Sequence, residues 1–313
     1  MNEFSLINQY FHSISLGRDD VVFGIGDDAA CMRVPPDMDL LVSTDTMVEG
    51  VHFLKEWDAY DIASRLLKVN ISDMAAMAAT PCWVSLALTL PALDESWLQR
   101  FSLGLADTLR QYSISLIGGD TTRGPLTMTI TIHGLAPKGK AVRRSGARVG
   151  DAIIVTGLLG AAALAVSLLD TPHFDESSRC VLMKRLLHPT PRLDFCNVLR
   201  AHATAAIDIS DGLSADLTHI LNASQVGACL NLASIPVHPL IHEHRPDQAL
   251  DFALSGGDDY ELCFTVPPAL LPLLEMTGLQ YYQVGFIEVE PGLRAQTPQG
   301  DIVPLPAKGY AHF

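Results

Sequence analysis

Residues 126–170, LTMTITIHGLAPKGKAVRRSGARVGDAIIVTGLLGAAALAVSLLD, decide how the chain is organised. LTMTITIHGL (126–135) alternates Thr with larger apolar residues, the period-two pattern of a strand with one covered face. PKGKAVRRSGARVGD (137–151) then brings glycines and cations and few large apolar residues, and reads as a domain junction. Beyond it, AIIVT, a glycine turn and AAALAVSLL read as strand, turn and helix. Thr156, Gly157, Gly160 and Ser167 interrupt the apolar run, so it does not make the ~20-residue span a membrane requires. The expected domains are 1–137 and 138–313.

Both flanks mix strands with helices. Before the junction, VVF (21–23), LLVST leading to Asp45, WVSLALTL (83–90) and ISLI (114–117) read as strands. Helices are expected over about 59–79 and after Asp94, a residue suited to an N-cap. After the junction come helices near 176–187 and 191–203, separated by HPTP, whose prolines break a continuous helix. TAAIDIS (204–210), a helix from Leu213, a short strand near 228–232, ELCFTV and YYQVGFI complete the pattern. Without strict βαβ alternation, this predicts an α+β fold of two mixed-layer domains.

The 313 residues carry 35 Asp+Glu against 21 Lys+Arg, a formal net charge of −14. That balance argues against a nucleic-acid binder, whose affinity rests on Lys and Arg; the densest basic patch is only Arg143, Arg144 and Arg148. Six cysteines without a CxxC pair predict reduced, mostly buried thiols and a cytoplasmic protein. MNEFSLINQYF lacks the basic flank of a secretory signal.

The aspartates carry the functional signal. Asp27 and Asp28 follow VVFGIG, Asp45 follows LLVST, and Asp120 follows SLIGG. Asp208 and Asp211 flank the end of AAIDISDG, and Asp258 and Asp259 follow ALSGG. Each time an apolar run gives way to small residues and then to an aspartate, as at strand ends that approach a ligand. A single case is an ordinary turn; five in an acidic chain point to a site. Asp73 is the only charged residue between Lys68 and Asp94, and helical spacing puts it on the face of Leu66 and Met77. An inward carboxylate costs several kcal/mol unless it is paired or holds a metal. Clustered carboxylates suit Mg²⁺, and Mg²⁺ so held suits a polyphosphate, the arrangement phosphoryl transfer requires. Arg143 and Arg144 either clamp phosphate oxygens or form an exposed basic linker.

Other signatures fail. None of the six lysines precedes Ser or Thr, so there is no Walker loop. GIGDDA (24–29) matches GxGxxA formally but sets two acids where a pyrophosphate would lie. DISDGLSADL lacks the EF-hand register. His238, His242 and His244 read as a polar surface loop rather than a zinc site.

Taken in order, GIGDDAA (24–30), STDTMVEGVHF (43–53), NISDMAAMAATP (70–81), GGDTTRG (118–124), RSGARVGD (144–151), DISDGLSADL (208–217) and SGGDDYELCF (255–264) resemble the thiamine-monophosphate kinase family. That family belongs with aminoimidazole ribonucleotide synthetase and selenophosphate synthetase. The resemblance extends to the terminal KGYAHF. It implies an enzyme that phosphorylates thiamine monophosphate to thiamine diphosphate with ATP as co-substrate and several Mg²⁺ ions. It also implies a homodimer built by pairing N-terminal sheets. The N-terminal domain would bind ATP and Mg²⁺ and make the dimer; the C-terminal domain would complete the site. By motif, the metal ligands would be Asp28, Ser43, Thr44, Asp45, Asp73, Asp120, Asp208 and Asp211. ATP would meet Gly119, Asp120, Arg144 and Ser210. Thiamine monophosphate would meet His52, Asp258 and Tyr310. Two positions depart from the family pattern: Asp258 stands where Glu is expected, and Ala307 where an aromatic is expected. No general base is required, because the acceptor is a phosphate oxygen with a second pKa of ~6. The competing readings are an aminoimidazole ribonucleotide synthetase-like enzyme and a non-catalytic Mg-nucleotide sensor. Selenophosphate synthetase is disfavoured, because no Cys or Lys nucleophile lies in the N-terminal segment.

Overall fold

The computed structural model describes residues 3–169, 171 and 174–311. It divides into two compact units, Met1–Met74 with Ala79–Lys140, and Ala75–Ala78 with Ala141–Phe313.

In the first unit a short helix, α1 (Glu3–Leu6), precedes a two-stranded antiparallel ribbon of β1 (Val21–Phe23) and β2 (Cys31–Met32). The main sheet has the order β3–β6–β4–β5, from β3 (Met38–Val48), β4 (Thr80–Leu90), β5 (Ser115–Arg123) and β6 (Thr127–Pro137). β4 and β5 run parallel, with α3 (Glu95–Tyr112) as the crossover that such a pair needs. Asp94 caps that helix as predicted, accepting from the N–H groups of Ser96 and Trp97 (3.0 Å each). The strand at 126–135 lies inside this sheet. β6 is bonded along its length by β3 on one side and β4 on the other, and β3 carries the outer edge.

The alternation in β6 has the expected meaning. Met128, Ile130 and Ile132 are buried on one face, while Thr127, Thr129 and Thr131 are half-buried on the other. α2 (Ala59–Ala76) lies on the apolar face, so close that a Cβ on Gly134 would collide with Met74. The helix ends three residues before the predicted boundary. Ala78 takes a left-handed φ of 55°. Its N–H and that of Ala79 return to the carbonyls of Ala75 and Met74 (2.9 and 2.8 Å), a Schellman closure made without glycine.

The second unit holds a seven-stranded sheet in the order β13–β12–β9–β11–β7–β10–β8. Its strands are β7 (Ala152–Val155), β8 (Ala205–Asp208), β9 (Gly227–Asn231), β10 (Leu262–Val266), β11 (Tyr282–Glu288), β12 (Gly292–Gln296) and β13 (Ile302–Pro304). Only β9 and β12 pair in parallel. β12 and β13 had no clear signal in sequence, being short strands of mixed polarity at the sheet's margin. The helices are α4 (Ala161–Ser167), α5 (Glu176–Leu187), α6 (Cys196–His202), α7 (Leu213–Ser224), α8 (Pro239–His244), α9 (Ala249–Ser255) and α10 (Leu271–Glu275). β7 is apolar throughout because both its faces are covered. Ile153 and Val155 enter one core with Leu217 and Ile220, and Ala152 and Ile154 enter another with Phe195 and Phe264. AIIVTGLLGAAALAVSLL is thus strand, turn and short helix, and no helix among the described residues is long and apolar enough to cross a membrane.

Candidate active site

The predicted residues divide between the units. In the first, Ser43, Thr44 and Asp45 do not end a strand; β3 continues to Val48 and sets them in its middle. Alternation therefore decides their direction. Ser43 and Asp45 pair with Ile132 and Ile130 on the helix-covered face, and the Ser43 hydroxyl donates to Asp73 Oδ2 at 2.5 Å. Asp73, half-buried on α2, faces the sheet as expected. Desolvation, and then the charge of Asp73, push the Asp45 carboxyl up to about 6. Two carboxylates and a hydroxyl thus converge between one helix and one strand.

Asp120 and Thr44 are elsewhere. β5 also outlasts its predicted end and runs through GGDTTR to Arg123, so Asp120 is a strand residue. It pairs with Ala87, which pairs with Thr129, which pairs with Thr46. That row belongs to the exposed face of the sheet. Thr44 lies on the same face, its hydroxyl 3.0 Å from that of Thr131. Asp120 follows Gly119, whose φ is +158°, and a Cβ there would run into the Leu86 carbonyl of the neighbouring strand. Only glycine lets the strands approach at this point. Asp28 is exposed in the loop after β1, its N–H bonded to Asp27 Oδ1 (3.0 Å). His52 sits in the turn after β3, where its Nδ1 accepts the Val48 N–H (3.1 Å). The neutral ring therefore carries its proton on Nε2. Among the described residues no three His, Cys, Asp or Glu side chains gather closely enough to hold a metal ion.

In the second unit three loops are bonded together. Asp208 is buried at the end of β8, and Ser210 and Asp211 follow in the loop to α7. The loop 256–261 follows helix α9 rather than a strand, correcting the reading of ALSGG. It is tied to the first loop by Asp258 N–H to Ser210 O (2.8 Å), Tyr260 N–H to Ile209 O (2.8 Å) and Ile209 N–H to Glu261 O (2.7 Å). The third is the terminal strap. Tyr310 N–H donates to Asp211 O (3.1 Å), and the Ser214 hydroxyl donates to Lys308 O (2.7 Å). The ring of Tyr310 is half-exposed. Arg144 is exposed, its carbonyl accepting from Ser224 Oγ (3.3 Å).

Several bracing residues escaped the sequence reading. Asp216, 2% exposed, accepts the N–H groups of Asp211 and Gly212 (3.0 Å each) and so sets the curvature of the DISDG loop; burial lifts its carboxyl to about 6. It stood in the quoted motif five residues after Asp211, where an inward helix position was its only signal. Asp259 takes the Gly160 N–H on both oxygens (2.9 Å each), and burial holds its carboxyl well above the usual range. Glu261 is buried against Arg192 (2.8 Å) and Thr156 (2.7 Å). Of the histidines read as a surface loop, His238 is instead buried at the N-cap of α8.

Residues 26–136 match the AIR synthase related protein N-terminal domain, and residues 148–297 match its C-terminal domain. Thiamine-monophosphate kinase of Escherichia coli (strain K12) is 47% identical over 318 residues, covering 99% of this chain and 98% of that protein. The crystal structure of thiamine-monophosphate kinase from Stenotrophomonas maltophilia K279a has a TM-score of 0.85 at 43% identity, over 94% of this chain and 96% of that one. AaThiL complexed with AMPPCP and TMP has a TM-score of 0.80 at 29% identity, over 90% and 89%. The chain belongs to the AIR synthase related proteins and, among them, to the thiamine-monophosphate kinase family.

Proposed function

We propose that the protein transfers the terminal phosphoryl group of ATP to thiamine monophosphate, giving thiamine diphosphate and ADP. The observation that carries this is 47% identity to a thiamine-monophosphate kinase along nearly the whole of both chains. The donor set agrees with the chemistry. Ser43, Asp45 and Asp73 offer hard oxygen donors between β3 and α2, as Mg²⁺ prefers. Asp28, Thr44, Asp120, Asp208 and Asp211 would complete the ligands of several ions. Bound Mg²⁺ supplies charge neutralisation between two phosphate anions. Gly119, Asp120, Arg144 and Ser210 would meet ATP.

On the substrate side, His52 would donate from Nε2 to the phosphate, Asp258 would face the cationic thiazolium or the aminopyrimidine, and Tyr310 would cover a ring. The acceptor oxygen is already ionised near neutral pH, so transfer is direct and in line, with no protein base. We further read the protein as a cytoplasmic homodimer that binds neither nucleic acid nor membrane. The exposed face and edge of β3 favour the dimer: Leu40 and Val42 are 45% and 56% exposed there, and an open edge invites a second strand. A monomeric mass by light scattering at micromolar concentration would refute it.

One coupled ADP-release assay tests the main proposal, with Mg²⁺ and each candidate acceptor in turn. Thiamine monophosphate should stimulate release and acceptors offering an amide or carboxyl-derived oxygen should not. ATP binding without release for any acceptor would make the protein a nucleotide sensor.

A further inference from the structure

The loop SGGDDYE carries an arrangement that the substrate reading does not require. Two of its non-glycine residues, Asp258 and Tyr260, take left-handed backbone angles, φ 70° and 51°. A left-handed tyrosine is uncommon and persists only where its surroundings over-determine it. Here the surroundings are explicit. The N–H groups of both residues are bonded to consecutive carbonyls, Ser210 and Ile209, at 2.8 Å. Asp259 between them is fixed by Gly160, and Glu261 beyond them by Arg192 and Thr156. With the backbone so held, the Tyr260 hydroxyl donates to Asp258 Oδ1 at 3.1 Å.

A turn that only had to join α9 to β10 would be served by glycine, asparagine or aspartate at both positions, so Tyr260 is the one that plain turn chemistry does not call for. Using Asp and Tyr keeps two particular side chains facing each other. The hydroxyl bonds one oxygen of Asp258 and limits rotation of the carboxylate. A positioned carboxylate binds a cationic or N–H-bearing ring with less ordering to supply at the moment of binding.

We propose that Tyr260 is a positioning residue, acting through Asp258 to orient the carboxylate that recognises the substrate's cationic or aminopyrimidine ring. This rests on the reading of Asp258 as a substrate contact, and the two can fail separately. The experiment compares the full-length wild type, Tyr260→Phe, Asp258→Asn and the double variant, measuring kcat, KM for thiamine monophosphate, KM for ATP and melting temperature. Tyr260→Phe keeps the ring and removes one oxygen. It should raise KM for thiamine monophosphate roughly three- to fivefold, the scale of ordering one side chain at the moment of binding, with kcat, KM for ATP and melting temperature unchanged. Asp258→Asn should raise the same KM about tenfold, as loss of a charge-assisted contact does. The double variant should be no worse than Asp258→Asn, since the hydroxyl then has no carboxylate to orient. Wild-type kinetics in Tyr260→Phe beside an elevated KM in Asp258→Asn would overturn the positioning role and leave the substrate contact standing. Additive losses in the double variant would overturn it too, by giving Tyr260 an effect independent of Asp258. No change in Asp258→Asn would remove the substrate reading and the proposal with it.

Discussion

The two units bring carboxylates to bear by different means. In the first, Ser43 and Asp45 stand in the middle of a long strand and Asp73 in the last turn of a long helix, and their positions follow from regular geometry. In the second, Asp208, Asp211 and Asp258 stand on or beside short loops, held by hydrogen bonds from neighbouring loops and by braces such as Asp216 and Asp259. A helix–strand platform fixes a side chain through many backbone bonds shared with the whole sheet. A group of loops fixes it through a few bonds that single substitutions can remove. The first arrangement suits ions with strict coordination distances; the second would add Asp208 and Asp211 to those ligands and, through Asp258 and Tyr310, give an organic substrate a shaped wall.

The contrast can be broken by mutation. The largest effect should come from the platform: Asp45→Asn should lower kcat by ~10²-fold or more, the scale of losing a key electrostatic stabiliser, with little change in melting temperature. Turnover near wild type at saturating Mg²⁺ would take Asp45 out of the metal site. Next comes the terminal strap. A Cβ at Gly309 would lie 2.7 Å from Ala215 Cβ and 2.8 Å from Asp211 O, so Gly309→Ala should push residues 307–310 away from the DISDG loop. KM for thiamine monophosphate should rise about fivefold, roughly 1 kcal/mol, while KM for ATP holds. Parallel changes in both constants would mean the strap also braces the nucleotide side. The smallest effect should be Asp94→Ala, which removes the N-cap of α3, a carboxylate bonded to Ser96 and Trp97 rather than to a predicted ligand. It should lower the midpoint of denaturant unfolding with unaltered kinetics. Loss of activity there would show that the platform transmits distant strain.

The same contrast explains what could be read from sequence. Period and composition revealed the strands around 83–90 and 126–135, the capped helix after Asp94 and the strand–turn–helix at 152–167, because local pattern and tertiary role agree there. The strands holding Asp45 and Asp120 were cut short, since STD and GGDTT look like turn sequence. In the folded sheet, small polar residues instead form an exposed face, with Thr44 against Thr131 and Thr46 against Thr129 (2.8 Å). The motifs carry the proposed ligands of the second unit but give no sign of what braces them. Asp216 and Tyr260 act through bonds to segments whose proximity only folding creates.

The last turn of α2 and the residues after it have a consequence for how the chain is made. Ala75, Ala76 and Ala78 belong to the core that holds Phe195 and Phe264, Val142 N–H donates to Met77 O (3.1 Å), and Arg200 reaches Ala78 O (3.2 Å). No single scission, in a gene or by a protease, therefore yields two complete folding units. A fragment starting at residue 141 would lack a tile of its own interior, whereas in ribosomal synthesis that tile has long emerged when the second sheet begins to assemble. Separate expression of the halves should thus give a soluble second unit only when a peptide carrying residues 75–78 is supplied.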